Sequence, residues 1–316
     1  MHILVTGGAG FIGSHLVERL LKGDPGLEPF NVTVLDNLST GKRSNLPEKH
    51  ERLVFDQRNV QEIGSAIGKY SPINAIVHLA SPVSVPESIQ NPQKYHDGIY
   101  VSTEEVLKAA VKQGIKKVVL ASTAAVYGDP ADIPIKEDCP KNPLSPYAKE
   151  KLAAEQLALD YSKSNGIDVI ALRFFNIYGP RQDADSGYAS VIPIFMRCAR
   201  KNEPPIIYGN GSQTRDFVYV DDVVDAIMLS LDSLAPAGVY NIGTGKASSI
   251  KDLAQAIGWL SGSDLDPKHG PAQPGDIKHS VADIENAGRK LGYCPLVSID
   301  TGLEKTWDWF ESLSET

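Results

Sequence analysis

Near its start the chain reads His2-Ile-Leu-Val-Thr-Gly-Gly-Ala-Gly-Phe-Ile-Gly13, an apolar run followed by evenly spaced glycines. The apolar run predicts a buried strand, and the apolar periodicity after it predicts a helix over residues 11–22. The spacing of Gly7, Gly10 and Gly13 allows a tight turn and a close backbone approach at the helix N-terminus, where a pyrophosphate binds favourably. An ordinary turn before a helix is the alternative for an isolated glycine triplet.

Asp36 follows about twenty residues later, at the end of the next predicted strand, and strengthens the dinucleotide interpretation. A carboxylate there accepts hydrogen bonds from the ribose hydroxyls and repels a 2′-phosphate, which favours NAD over NADP. Lys42 and Arg43 soften this preference, because either could reach a phosphate. Asp56 and Gln57 are candidate partners of the adenine edge, and a solvated loop is the equal alternative.

Short β-branched runs alternate with helical periodicity over the first two-thirds of the chain. Near-continuous apolar runs of this kind are typical of parallel strands buried on both faces. Alternating strand and helix signals predict a doubly wound α/β domain. The predicted strands are 3–5, 32–35, 53–55, 75–79, 118–121 and 169–172, and the predicted helices are 11–22, 100–113 and 146–164.

After Arg173 the rhythm breaks into shorter elements separated by loops rich in proline, glycine and asparagine. This change predicts a second, less regular lobe at the carboxyl ends of the strands, where open α/β sheets bind their ligands. We expect residues 1–175 to form the first domain, with 217–242 returning to it, and residues 176–316 to form most of the second lobe. The sequence contains no evident internal repeat.

Composition excludes several classes of protein. The chain has 316 residues, is 42% hydrophobic and carries a formal net charge of −8, which argues against nucleic acid or an anionic membrane as the main partner. Its three cysteines are far apart, so neither a disulfide framework nor a metal site is expected. No apolar run reaches the roughly 20 residues of a membrane span. We therefore expect a soluble, cytoplasmic protein.

Tyr147 and Lys151 form Tyr-x-x-x-Lys, which places both side chains on one face of a helix, one turn apart. A free tyrosine titrates near about pH 10, but a neighbouring ammonium stabilises its phenolate and moves its pKa towards neutrality. Ser122 and Thr123 end a strand just upstream, and Thr123 could pass a substrate proton to Tyr147. A surface pair is the alternative for Tyr147 and Lys151, and strand-end capping is the alternative for the two hydroxyls.

These segments together closely resemble the extended short-chain dehydrogenase/reductase family, in particular its UDP-glucose and UDP-N-acetylglucosamine 4-epimerases. The resemblance covers essentially the whole chain. The segments that carry it are Thr6-Gly-Gly-Ala-Gly-Phe-Ile-Gly-Ser14, Leu35-Asp-Asn-Leu-Ser-Thr-Gly41, His78-Leu-Ala80, Ser122-Thr-Ala-Ala-Val-Tyr-Gly128, Tyr147-x-x-x-Lys151, Arg173-Phe-Phe-Asn-Ile-Tyr-Gly-Pro-Arg181, Gly209-Asn-Gly-Ser-Gln-Thr-Arg-Asp216 and Pro274-Gly-Asp276.

The resemblance implies a Rossmann-type doubly wound parallel sheet, a smaller mixed α/β C-terminal substrate lobe, bound NAD and a homodimer. It implies that Tyr147 is the base, Lys151 tunes it, and Thr123 relays the proton while C4 of a UDP-sugar is inverted through a 4-keto intermediate. The implied cofactor-binding residues are Gly7, Gly10, Phe11, Ile12, Gly13, Asp36, Asn37, Asp56, Gln57, Leu79, Ala80, Tyr147 and Lys151. The implied substrate-binding residues are Ser84, Thr123, Tyr147, Asn176, Val191, Tyr208, Arg215 and Ser280.

Differences from related enzymes refine this expectation. The chain has Ala124 and Ala125 where sugar-nucleotide dehydratases carry an Asp-Glu pair, so dehydration is not expected. Gln273 replaces a customary phosphate-binding arginine, which leaves the identity of the nucleotide open. The resemblance places the small Ser280 at the position that faces the sugar C2 substituent, which implies that N-acetylhexosamines are accepted as well as hexoses. A 4-reductase, a decarboxylase or a catalytically silent NAD-binding regulator is the alternative function.

Overall fold

The computed structural model describes residues 1–23, 28–70, 72–183, 190–232, 234–263, 266–272 and 277–313. Every predicted strand of the first domain is present, with bounds shifted by a few residues at most. The strands are β1 (His2–Thr6), β2 (Asn31–Asp36), β3 (Leu53–Gln57), β4 (Ala75–His78), β5 (Lys117–Thr123), β6 (Asp168–Phe174), β7 (Asn176–Tyr178), β8 (Ile206–Tyr208), β9 (Thr214–Arg215), β10 (Phe217–Tyr219), β11 (Gly238–Ile242), β12 (Ser248–Ser249), β13 (Lys268–Gly270) and β14 (His279–Ser280).

The main sheet contains seven parallel strands within the described residues, in the order β11-β6-β5-β4-β1-β2-β3. The strand order reverses between β1 and β4, which is where doubly wound sheets open a ligand crevice at the carboxyl ends of their strands. This order confirms the predicted Rossmann-type parallel sheet. The late strand β11 pairs with β6 and so lies in the sheet of the first domain.

Helices cover both faces of the sheet and also build the second lobe. The helix predicted over 11–22 has those bounds in the structure, and the one predicted over 146–164 extends by one residue. The helices are α1 (Phe11–Lys22), α2 (Ile63–Ala66), α3 (Val85–Gln90), α4 (Pro92–Tyr95), α5 (Ser102–Gln113), α6 (Pro146–Asn165), α7 (Val191–Arg200), α8 (Val220–Leu231), α9 (Ile250–Ser261), α10 (Glu285–Leu291) and α11 (Ile299–Ser312). None of the described helices is both long and apolar enough to cross a membrane.

Alternating residues of the central strands enter two separate cores. Ile3 and Val5 of β1 pack with α1 and α8 on one face, whereas Leu4 packs with α2 and α5 on the other. This explains the near-continuous apolar runs in the sequence, because both faces of each strand are buried.

A third core holds the second lobe together and consists mainly of apolar residues from α7, α9 and α11. Short strands lie beside it: β9 pairs with β12 and β14, β8 pairs with β13, and β7 pairs with β10. The lobe is therefore mixed α/β. Because β7 follows β6 directly, this lobe begins at the carboxyl edge of the main sheet.

Candidate active site

A cleft of about 2220 Å³ lies over the carboxyl ends of the main strands. It is large enough for a dinucleotide and a second ligand, since sites for one small molecule measure about 300–1,000 Å³. The cleft is lined by these predicted residues: Gly7, Gly10, Phe11, Ile12, Gly13, Asp36, Asn37, Leu79, Ala80, Ser84, Thr123, Tyr147, Lys151, Asn176 and Val191. The structure therefore brings most of the predicted cofactor and substrate residues to one cavity.

The glycine loop has no room for a side chain at Gly7 or Gly13. A Cβ on Gly13 would lie 2.1 Å from the carbonyl oxygen of Gly7, and one on Gly7 would lie 2.7 Å from the backbone nitrogen of Ala80. Gly7 also has a φ of +72°, a conformation that favours glycine. Gly10 caps α1 without a side chain, so the first N–H groups of this helix face the cleft and fit a pyrophosphate.

Asp36 is buried at the end of β2, and its carboxylate fixes the loops around it. Its Oδ2 accepts a hydrogen bond from the backbone nitrogen of Ala9 at 2.9 Å, and its Oδ1 accepts one from Leu38 at 2.8 Å. Each carboxylate oxygen can accept a further hydrogen bond. The side chain can therefore hold the glycine loop and still receive ribose hydroxyls in the cleft.

Of the two cations that could bind a 2′-phosphate, Arg43 already interacts with other residues of the protein. Its Nη1 donates to the carbonyls of Leu46 and Pro47 at 3.2 and 3.0 Å, and its guanidinium lies 5.1 Å from the centre of the Phe55 ring. Lys42 does line the cleft. The arrangement of Arg43 strengthens the preference for NAD, because one of the two candidate phosphate ligands is already bound elsewhere.

Asp56 and Gln57 are not part of the cleft lining. The Asp56 carboxylate is 2.7 Å from Nε of Arg58 and accepts a hydrogen bond from the Tyr70 hydroxyl at 2.7 Å. The cleft beyond β3 is lined instead by residues 59–61. The sequence does not single out these three residues, because their position depends on how the chain turns after the strand.

Thr123, Tyr147 and Lys151 meet at the carboxyl end of β5. Ser145 accepts a hydrogen bond from the backbone nitrogen of Ala148 and caps α6, which begins with Pro146 as predicted. Lys151 Nζ donates to the carbonyl of Ala121 at 3.1 Å, and the Thr123 hydroxyl is close enough to the Tyr147 phenol to affect its pKa. The pair is thus buried beside the strand rather than exposed on the surface.

Burial opposes ionisation of both side chains. It raises the pKa of Tyr147, although the hydrogen bond from Thr123 counteracts this rise. Burial also lowers the pKa of Lys151 to about 8. The expected downward shift of the tyrosine is therefore not present in the protein alone. The phenol needs a further positive charge in the cleft before it can act as a base near neutral pH.

Thr123 also performs the capping role that the sequence left open. Its hydroxyl accepts a hydrogen bond from the backbone nitrogen of Ala125 at 3.2 Å and begins a short 3₁₀ helix at residues 124–127. Ser122 has a different role, because its hydroxyl donates to Glu155 at 2.7 Å.

Three of the residues expected to bind substrate, Ser84, Asn176 and Val191, line the same cleft. Ser84 caps α3 by accepting a hydrogen bond from the backbone nitrogen of Glu87 at 3.1 Å. Asn176 lies in β7 opposite Phe217 of β10. Val191 begins α7.

Three predicted substrate residues lie outside the cleft lining. Arg215 and Ser280 are opposite each other in the β9–β14 pair, with Ser280 buried, and Tyr208 is half-exposed in β8. Gln273 lies outside the described residues. The neighbouring Asp216 is fully buried, and its carboxylate accepts hydrogen bonds from Thr244, Gly245 and Ala282.

The sequence did not reveal several buried polar residues beside the site. His78 at the end of β4 is hydrogen-bonded through Nδ1 to the Thr6 hydroxyl at 2.7 Å, and burial lowers its pKa to about 3. Glu155 on α6 forms a buried ion pair with Arg173 on β6. Glu155 occurs four residues after Lys151, and this spacing is the one signal that could have identified it.

The chain is similar to known proteins over most of its length. Residues 3–243 match the model of the NAD dependent epimerase/dehydratase family. A UDP-glucose 4-epimerase of Mycolicibacterium smegmatis is 36% identical over 320 residues, which cover 100% of this chain and 100% of that protein.

Two solved structures are similar over nearly the whole chain. A UDP-N-acetylglucosamine 4-epimerase from Methanobrevibacter ruminantium M1, in complex with UDP-N-acetylmuramic acid, has a TM-score of 0.93 at 38% identity and covers 98% of each chain. A UDP-glucose 4-epimerase from Thermotoga maritima, with UDP-glucose, has a TM-score of 0.92 at 35% identity, over 98% of this chain and 99% of that one.

The family description names the cofactor that the glycine loop and Asp36 predict, so the expectation of NAD is confirmed. The resemblance to short-chain dehydrogenase/reductase epimerases is confirmed as well. Because the family model matches most of the chain and these relatives match nearly all of it, the chain belongs to the NAD dependent epimerase/dehydratase family of enzymes.

Proposed function

We propose that the protein inverts C4 of a UDP-hexose through a 4-keto intermediate. The observation that carries this proposal is that Thr123, Tyr147 and Lys151 share one cleft with the glycine loop and Asp36. A sugar bound there can meet a base and a nicotinamide at the same time. The names of the similar enzymes, UDP-glucose and UDP-N-acetylglucosamine 4-epimerases, support the same reaction.

In this reaction Tyr147 takes the proton of the sugar 4-hydroxyl, and the nearby Thr123 hydroxyl relays that proton. Bound NAD supplies hydride acceptance and return together with a positive charge. Lys151 adds its ammonium one helical turn away from the phenol. The C4 hydrogen and the hydroxyl proton leave and return in equal number, so the reaction has no net redox change and needs no external reductant.

The residues next to Thr123 favour epimerisation over elimination. Ala124 and Ala125 occupy the 3₁₀ turn after β5, and Ala125 lines the cleft. A methyl group can neither donate nor accept a proton, so this turn supplies no acid or base to expel water from the sugar. A 4-reductase, a decarboxylase and a silent NAD-binding regulator remain the competing functions, and the assay below separates them.

For the substrate, we propose UDP-glucose/UDP-galactose and also UDP-GlcNAc/UDP-GalNAc. The small, buried Ser280 supports the second pair, as do similar enzymes that act on each class of sugar. Ser84, Asn176, Val191, Tyr208 and Arg215 are the other proposed substrate residues. Arg215 is proposed to bind the pyrophosphate, since its guanidinium presents a fixed fork of donors.

We further propose a cytoplasmic homodimer in which residues 1–175 and 217–242 bind NAD and most of residues 176–316 bind the UDP-sugar. The position of β11 in the main sheet supports this division. The exposed Lys108 and Val111 of α5 lie on the helix side that is available to a second copy. Light scattering of the purified protein tests this proposal, because a monomer at all concentrations would contradict it.

The decisive assay incubates purified protein with UDP-galactose or UDP-GalNAc without added reductant and identifies the product by chromatography and mass spectrometry. We expect interconversion and co-purified NAD. Tyr147→Phe removes the base, so kcat should fall by roughly 100- to 10,000-fold while NAD stays bound. Tyr161→Phe, on the same helix but away from the cleft, is the matched control and should retain full activity.

Other outcomes point to the competing functions. Turnover that depends on added NADPH would indicate a reductase, and loss of carbon dioxide from a UDP-hexuronic acid would indicate a decarboxylase. Bound NAD without turnover of any UDP-sugar would indicate a regulator.

A further inference from the structure

A buried ion pair lies directly beside the proposed reactive centre. Glu155 on α6 and Arg173 on β6 each have side chains that are 3% exposed. Arg173 binds both oxygens of Glu155, from Nε to Oε2 at 3.0 Å and from Nη2 to Oε1 at 2.5 Å. Bidentate pairs of this kind fix geometry more strictly than a single contact does.

The same face of α6 contacts β5 over three successive turns. Tyr147, Lys151 and Glu155 are spaced by four residues and so lie in a row along the helix. The Tyr147 phenol is close enough to the Thr123 hydroxyl for the latter to affect its pKa, and Lys151 Nζ donates to the Ala121 carbonyl at 3.1 Å. Glu155 accepts from the Ser122 hydroxyl at 2.7 Å. The reactive pair and the ion pair thus belong to one continuous contact.

Arg173 is itself held on the side away from Glu155. Its Nη1 donates to the Tyr127 hydroxyl at 2.7 Å and to the Glu137 carbonyl at 2.9 Å, and its guanidinium lies 4.9 Å from the centre of the Tyr127 ring. The Tyr127 hydroxyl in turn donates to Asn241 at 2.6 Å. The guanidinium therefore has a single orientation.

A buried ion pair is an expensive way to gain stability, because the desolvation of two charges often exceeds their attraction. Its better-attested use is to specify one arrangement among several. Glu155 follows Lys151 by one turn, the spacing at which a carboxylate and an ammonium pair on a helix. Without Arg173, the Glu155 carboxylate would compete for the Lys151 ammonium.

We propose that Arg173 is a positioning residue that holds the Glu155 carboxylate away from Lys151, so that the Lys151 ammonium keeps its place beside Ala121 and acts on the Tyr147 phenol. The kinetic part of this proposal rests on the proposed function, whereas the placement of the charges does not. Arg173 is not among the residues that line the cleft and acts through Glu155 and Lys151.

Other ionisable groups surround this cluster. Lys141 is close enough to Glu155 and Arg173 for their charges to affect its pKa, which burial lowers. His78 lies near Lys151 and is neutral at physiological pH, since burial lowers its pKa to about 3. Tyr95 packs edge-on against Tyr147 at 6.3 Å and is hydrogen-bonded to Glu87. Of these groups, Lys141 is the cation that could replace Arg173.

The test compares Arg173→Gln, Glu155→Gln and the double variant in the NAD-bound protein. Two readouts are taken, the pH profile of kcat and an ultraviolet difference titration of the Tyr147 phenol against Tyr147→Phe. Arg173→Gln frees Glu155, so the phenol pKa and the apparent pKa of the acidic limb of the kcat profile should each rise by about one pH unit. At a pH below this limb, kcat should then be about tenfold lower than in the wild type. Glu155→Gln should not raise either value, and the double variant should return towards wild type.

Lys117→Gln is the matched control. Lys117 is another buried cation of β5, but it lies at the opposite end of the strand and donates to the carbonyls of Asp232 and Ala235. It should reduce stability without moving the acidic limb. If Arg173 has only a structural role, Arg173→Gln should likewise lose stability without moving the acidic limb, or Arg173→Gln and Glu155→Gln should shift the limb in the same direction. Either result overturns the proposal.

Two further measurements keep the test decisive. If Arg173→Gln does not fold, Glu155→Gln alone carries the comparison, and an upward shift of its phenol pKa contradicts the proposal. If the wild-type protein turns over no UDP-sugar, the proposed function fails, but the difference titration still tests the placement of the charges. An unchanged phenol pKa in folded Arg173→Gln shows that Lys141 or water replaces the guanidinium, which also overturns it.

Discussion

Ser280 tests the choice of sugar at the scale of one side chain. It is 8% exposed and lies opposite Arg215, the proposed pyrophosphate ligand, in the β9–β14 pair. We expect Ser280→Tyr to lower kcat/KM for UDP-GalNAc by about tenfold to a hundredfold, because the ring would crowd the C2 substituent. Activity on UDP-galactose should be retained.

Ser280→Ala is the control for this substitution. It removes the hydroxyl but keeps the small volume, so both pairs of sugars should still be turned over. Equal losses on the two pairs in Ser280→Tyr would show that residue 280 does not face C2, and wild-type protein without activity on UDP-GalNAc would remove the basis of the argument.

Residue roles were predictable where the function needs a fixed spacing along one element. Tyr147 and Lys151 are such a case, because four residues on a helix always give the same face. Arg43 and Asp56 were not, because their partners depend on loop geometry: Arg43 binds carbonyls of its own loop, and Asp56 pairs with Arg58 and Tyr70. The role of Glu155 was also hidden, since its partner Arg173 comes from another strand.

At the scale of an element, the contact between the glycine loop and α1 leaves no room for one methyl group. Gly13→Ala places a Cβ 2.1 Å from the Gly7 carbonyl oxygen and 2.7 Å from Gly8 Cα. The helix must move away from the loop, so we expect about 1–3 kcal/mol of lost unfolding free energy and weaker NAD binding. Urea unfolding and titration with NAD measure the two effects.

Gly64→Ala provides the comparison, because Gly64 lies in α2 and an added Cβ would meet no atom within 4 Å beyond its chain neighbours and the backbone of its own helix. This substitution should be neutral or stabilise the helix by about 0.5–1 kcal/mol. If both variants lose stability and NAD equally, the Gly13 contact is not specific to the cofactor loop.

Element boundaries were accurate where caps mark them and inaccurate where tertiary packing decides. Gly114 and Gly166 end α5 and α6 in the left-handed conformation, as glycines at these positions predict. The start of α5 was placed two residues too early, since residues 96–101 form a wider π-helical turn that packs against α6. Side-chain periodicity does not distinguish such a turn from the helix that follows it.

At the scale of the whole molecule, buried carboxylates connect segments that are far apart in sequence. Asp222 on α8 accepts hydrogen bonds from the backbone nitrogens of Leu296 and Val297 at 2.8 and 3.2 Å. Asp216 likewise connects β10 to the loop after β11 and to Ala282. Hydrophobic periodicity identified six strands of the main sheet, all except β11, but it carries no information on these connections, because each joins a side chain to a distant backbone.

His78 makes the stability of the whole fold depend on pH. Burial lowers its pKa to about 3 from the ordinary 6.5, so the unfolded chain binds a proton in this range that the folded protein does not. The neutral His78 side chain therefore makes its full contribution to the free energy of unfolding above about pH 6.5. This contribution is lost as the pH falls towards 3, at up to about 1.4 kcal/mol per pH unit. His78→Gln, which can still hydrogen-bond to Thr6 and Thr103, should lose less unfolding free energy than the wild type as the pH falls, by up to that amount per pH unit. Urea unfolding across this pH range measures the difference.

His50→Gln, at an exposed loop, is the control and should lose unfolding free energy with the same pH dependence as the wild type. If His78→Gln also shows the pH dependence of the wild type, His78 accepts its proton inside the folded protein.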